Sequence, residues 1–132
     1  MMKHQLALEW IPGRVAICRL DVRDAIPAWA GRPSSLLSIT RTDGELSIVV
    51  AEEAVPKPVK AERGWVAMRI AGTLDFSLVG ILSKLTGALA EANVPVFVIS
   101  TYDTDVLLVR ADDADRAREA LSAVADTSRL LE

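Results

Sequence analysis

Two short segments of this 132-residue chain carry groups that can do chemistry together. The first, Asp75-Phe76-Ser77-Leu78-Val79-Gly80-Ile81, opens a stretch of helical periodicity; the second, Ser100-Thr101-Tyr102-Asp103-Thr104-Asp105, lies between two apolar runs. A helix N-terminus presents backbone N–H groups without intrahelical acceptors and a partial positive charge, which suits a carboxylate. Gly80, expected in the first turn, has no Cβ to hold a ligand away from the backbone. Ser77 adds a hydroxyl beside those donors, and Asp103 or Asp105 would hold an ammonium through a charge-assisted hydrogen bond. Each residue also has a plainer role open to it. Ser77 serves equally as an N-cap, Gly80 as a packing glycine, and Asp103 and Asp105 as turn residues.

Other reactive types are scarce. His4 is the only histidine, so a two-His metal site is excluded within one chain and any His-centred triad must use His4. Cys18 is the only cysteine, which excludes an internal disulfide and a Cys-based zinc site. It sits in an apolar run and reads as a small buried hydrophobe. Asp112, Asp113 and Asp115 near Asp103 and Asp105 make an oxygen-ligand set on paper, but carboxylates at a helix start already answer its macrodipole. No metal and no cofactor is therefore expected. Nothing marks a raised-pKa acid in a cleft, as a carboxylate-pair hydrolase needs. Trp10, Trp29 and Trp65 read as core or interface anchors, because no basic cluster interleaves with them.

Composition narrows the classes further. Fifteen Lys+Arg against 18 Asp+Glu leave a net charge of −3, and such a chain lacks the clustered cations that phosphate neutralisation requires. Nucleic acid is not an expected partner. The longest uncharged stretch, residues 92–102, is too short for a bilayer, and no basic segment with an apolar core opens the chain, so a cytoplasmic protein with no membrane partner is expected. The length fits one domain or two small ones. A hydrophobic fraction of 51% in so short a chain favours a homodimer. With so little catalytic equipment, the expectation is a binding or assembly module, not an enzyme.

The elements that must position the two segments follow from periodicity. Leu6, Leu8 and Trp10 alternate, and Pro12-Gly13 predicts a turn, with residues 15–20 as the returning strand. Residues 26–29 allow one helical turn, which Pro27 limits. Residues 36–41 and 46–51 predict a hairpin around Asp43-Gly44, the pair a type I′ turn favours. Residues 52–64 read as a connector and the boundary between units 1–62 and 63–132. Residues 65–71 predict a central strand. Leu78, Leu82, Leu85 and Leu89 then recur at helical spacing, with Asp75 or Ser77 as cap and Asn93-Val94-Pro95 as stop. Residues 94–101 and 106–110 predict two strands, and Asp112 opens a second helix with Ala114, Ala117, Leu121 and Val124 as its buried stripe. The order β-α-β-β-α suits an antiparallel sheet with helices on one face.

The run Asp75-Phe76-Ser77-Leu78-Val79-Gly80-Ile81-Leu82, with Phe97-Val98-Ile99-Ser100-Thr101-Tyr102-Asp103-Thr104-Asp105, resembles the ACT-domain proteins. The likeness is to the small stand-alone tandem ACT proteins of bacteria, which are similar to the ACT pair of aspartate kinases and to cytosolic arginine sensors. It is specific from about residue 73 to 109 and weaker over the first sixty. It implies an α+β, ferredoxin-like β-α-β-β-α-β unit present twice in tandem, binding an amino acid and regulating another, unidentified protein without catalysis. The ligand would lie against Asp75, Phe76, Ser77, Val79, Gly80 and Ile81, opposite Ser100, Thr101, Tyr102, Asp103 and Asp105. The second unit ends without a fourth strand of its own, and an early strand at residues 5–9 would supply it by crossing over. The rival expectation is a dimerisation module whose pocket is vestigial.

Overall fold

A computed structural model describes residues 6–71 and 80–131 of the chain. The strands are β1 (Leu8–Leu20), β2 (Ser38–Arg41), β3 (Leu46–Ala51), β4 (Ala61–Ile70), β5 (Phe97–Ser100) and β6 (Asp105–Arg110); the helices are α1 (Ile81–Glu91) and α2 (Ala114–Leu121). The strand order is β2-β3-β1-β4-β6-β5. The chain divides into two compact units, residues 12–65 and residues 1–11 with 66–132.

The second of these units has the full ferredoxin-like complement. Its sheet runs from the first part of β1 through β4 and β6 to β5, with α1 and α2 on one face. Leu85 and Leu89 of α1 and Ala117 and Leu121 of α2 are fully buried on Leu8, Met68, Ile70, Leu107 and Val109. The helical spacing of those leucines is what turns one stripe of α1 to the sheet. Asn93 ends α1 at a φ of 59°, the left-handed position that asparagine tolerates and larger side chains resist.

The early strand does cross over. The amide of Ala71 donates to the carbonyl of Ala7 at 2.8 Å, Leu8 N–H to Asp126 at 3.0 Å and Asp126 N–H to Leu6 at 2.7 Å. Residues 6–11 thus flank β4 in the place a fourth strand occupies. This arrangement overturns the expected Pro12-Gly13 turn. β1 runs unbroken through both residues, with Gly13 at a φ of 90°. The two halves of β1 are each held by ladder partners distant in sequence, and proline costs nothing where its missing N–H has no acceptor to serve.

Residues 12–65 keep the strand order β2-β3-β1-β4 but no α-helix. Three-ten turns at Ala28–Gly31 and Glu52–Ala54 stand where helices would pack, over a small core of Ala16, Cys18, Ala30, Leu46, Ile48 and Val50. The β2–β3 hairpin forms, pairing Arg41 with Leu46. Its loop is four residues, not a type I′ pair, since neither Asp43 nor Gly44 has a positive φ. Thr42 decides the difference. Its Oγ1 accepts from the amides of Gly44 and Glu45 at 3.1 and 3.2 Å. The expected connector ends early, because Ala61 already begins β4. The second helix begins at Ala114 after a three-ten turn at Ala111–Asp113, two residues later than expected from Asp112.

Candidate functional site

The end of β4, the turn joining β5 to β6 and the start of α1 define the candidate site. Asp75, Phe76, Ser77 and Val79 lie outside the described residues, as does His4. Gly80 precedes α1 at a φ of 83°, exposed, with no atom of the described residues within 4 Å of the place its Cβ would occupy. Such a backbone is available to glycine at little cost and opens the approach to the helix start. The carbonyl of Gly80 accepts from Lys84 N–H at 3.0 Å, while Ile81 is half-buried against the core.

Ser100 closes β5 opposite Asp105, which opens β6. The Ser100 hydroxyl donates to Asp105 Oδ1 at 2.6 Å. Thr101 and Thr104 tie the turn between them: the Thr101 amide and hydroxyl donate to the Thr104 carbonyl at 2.8 and 2.9 Å, and the Thr104 amide donates to Thr101 Oγ1 at 3.2 Å. Tyr102, 82% exposed, and Asp103 project from its tip. The structure therefore brings Ser100, Thr101 and Asp105 into one hydrogen-bonded turn, with Tyr102 and Asp103 on its rim.

Thr104 is the residue that sequence reasoning passed over. Its hydroxyl reaches the Ile70 carbonyl at 3.5 Å, placing the turn beside the end of β4, from which the chain leads to Gly80. A threonine inside an Asp-rich turn gave no sign of this, because the contact spans 34 residues.

Other reactive groups are placed without forming a centre. Cys18 is buried, and burial pushes its thiol up from its ordinary value. Glu9 accepts from Arg69 Nε at 2.8 Å and lies 3.4 Å from Arg129 Nη1. The Arg69 hydrogen bond, more than either positive charge, holds its carboxyl below the usual range, against a partial desolvation. Asp113 and Asp115 pair with Arg116 and Arg118 at 2.9 and 3.1 Å. Among the described residues no three His, Cys, Asp or Glu side chains cluster at metal-binding distance, and no helix is long and apolar enough to cross a membrane.

Fold and sequence together define the class. Residues 60–123 match the ACT domain family model, and a second model, for an N-terminal domain, matches residues 13–58. The fold is ACT-like, a ferredoxin-like antiparallel sheet with two helices. It belongs to the family of the Agobacterium tumefaciens protein Atu0741, whose crystal structure is 35% identical over 94% of this chain and 92% of that one, with a TM-score of 0.86. A Vibrio cholerae protein, VC0802, described as of unknown function and a possible transport protein, matches at 20% identity and a TM-score of 0.75 over 92% of this chain and 91% of its own. The ligand-free regulatory subunit of Thermus thermophilus aspartate kinase has the same fold at 12% identity, with a TM-score of 0.62 over 89% and 96% of the two chains. No curated protein matches the sequence significantly.

Proposed function

We propose that this protein is a non-catalytic regulatory module that binds a small ligand, an amino acid, and answers it with a change in the arrangement of its ACT units. The observation that carries this reading is the juxtaposition at one sheet end. The β5–β6 turn touches the end of β4 through Thr104 and Ile70, and the next described element after β4 is α1, whose start Gly80 opens. Helix-start amides suit the ligand's carboxylate, and Asp103 suits its ammonium.

We read residues 12–65 as a second, reduced ACT-like unit. Its strand order mirrors that of the other unit, and each unit completes its four strands with a stretch of β1 or β4 that continues into the other. A ligand shifts such a pair only as far as its affinities for the two arrangements differ.

A thermal-shift screen against the twenty amino acids tests the reading. Ligand at about 100 times its dissociation constant adds roughly 2.7 kcal/mol, several degrees at this size. One or two amino acids are expected to raise the midpoint, with the response lost in Asp103→Asn. A flat response at millimolar concentration removes the sensor reading.

One observation favours a second reading, a dimerisation module with a vestigial pocket. The Asp105 carboxylate is already engaged by Ser100 and the turn is closed on itself by Thr101 and Thr104, so these residues can serve the hairpin alone. Light scattering showing a dimer, together with a flat ligand screen, selects that reading.

A further inference from the structure

The unit of residues 12–65 holds an open cavity of about 740 Å3, within the range that small-molecule sites occupy. Arg14, Lys57 and Arg63 converge on it from three separate segments of the chain. None of the three pairs with a carboxylate among the described residues, although Glu52 and Glu53 line the same walls.

Part of the lining is already committed within the unit. Glu52 Oε1 is committed to the Gly64 amide at 2.6 Å. Arg63 is anchored through Nη2 alone, which donates to the carbonyls of Pro56 and Lys57 at 3.1 and 3.5 Å. Its Nε and Nη1 hydrogens meet no acceptor among the described residues and are left for single charge-assisted hydrogen bonds to an oxyanion. Ser34 spends its hydroxyl hydrogen on the Leu36 carbonyl at 3.1 Å, and Ser35 adds a hydroxyl on the same wall. Gly13, at a φ of 90°, has no atom within 4 Å of its missing Cβ.

We propose that this cavity is a binding site for a small oxyanion metabolite bearing a phosphate or several carboxylates. Three cations against two carboxylates leave the lining at a net charge of +1, so an anion is the complement. Glu53, on the rim, accepts a hydroxyl or ammonium from the other end of the molecule. The site is separate from the β5–β6 turn and takes a different chemistry, so neither stands on the other.

Calorimetric titration of the whole protein with inorganic phosphate and with citrate, at an ionic strength held constant with sodium chloride, tests it. Saturable binding of one probe is expected, weakened at least tenfold in Arg14→Gln and Lys57→Gln and unchanged in Asp103→Asn. Both substituted side chains are exposed, and circular dichroism verifies that the variants are folded. Binding of phosphate alone assigns a phosphorylated ligand, and binding of citrate alone a polycarboxylate. Heat no larger than that of the salt control for both probes, or binding that survives both substitutions, overturns the proposal.

Discussion

At the scale of single residues, two positions combine a clear physical cause with a measurable consequence. Gly13 sits inside a strand at a φ of 90° with open space around it. Gly13→Ala meets no clash, so its cost is the backbone preference alone, roughly 1–2 kcal/mol. Urea denaturation is expected to show that loss with an unchanged slope, and an equally stable variant would refute the strain. Glu9 carries a pH dependence. Its carboxyl is held below the ordinary value of 4.5, first by the Arg69 hydrogen bond. A depressed folded-state value means the stabilisation is present above pH 4.5 and is lost as pH falls through the lowered value. The melting-temperature advantage of the native chain over Glu9→Gln is expected at pH 7 and to shrink below pH 4.5. A difference that stays constant down to pH 3 contradicts the assignment.

At the scale of elements, periodicity succeeded where burial was one-sided. Leu85 and Leu89 recur on one face of α1, and both are fully buried. Leu89→Ala is expected to cost about 2–5 kcal/mol, the range for a leucine whose site cannot collapse; chemical denaturation measures it, and a loss under 1 kcal/mol would show that α1 packs loosely. Turn chemistry was less reliable. Pro12-Gly13 looks like a turn locally, yet distant ladder partners hold it in line. Asp43-Gly44 does turn, but Thr42 selects a four-residue loop by capturing two amides. The candidate site was half legible in the same way. Gly80 and the Ser100–Asp105 turn stood out by residue type, whereas Thr104 and its contact with Ile70 did not. The cations at positions 14, 57 and 63 gave no signal either, being scattered through 50 residues of chain.

At the scale of the molecule, β1 and β4 each run from one unit into the other. The α-helical unit takes its fourth strand from residues 6–11, and Leu8 from that strand is fully buried in its core. A fragment of residues 63–132 therefore lacks a strand and a core side chain. It is expected to show no cooperative thermal transition by circular dichroism, whereas the whole chain melts cooperatively. A fragment melting cooperatively near the midpoint of the whole chain would show that the early strand is dispensable.

The sequence by itself determined the elements whose cause is local: the alternating strands, the leucine stripe of α1, the stop at Asn93, the carboxylates at the start of α2, and the residue types at the helix start and the hairpin turn. These depend on side-chain direction and backbone preference within a few residues, which a sequence carries openly. The tertiary structure alone decided the unbroken path of β1 through Pro12-Gly13, the contact of Thr104 with Ile70, and the gathering of Arg14, Lys57 and Arg63 about one cavity. Each of those depends on hydrogen-bond partners and burial separated by tens of residues, where the free energy of long-range pairing outweighs the local preference of a Pro-Gly pair.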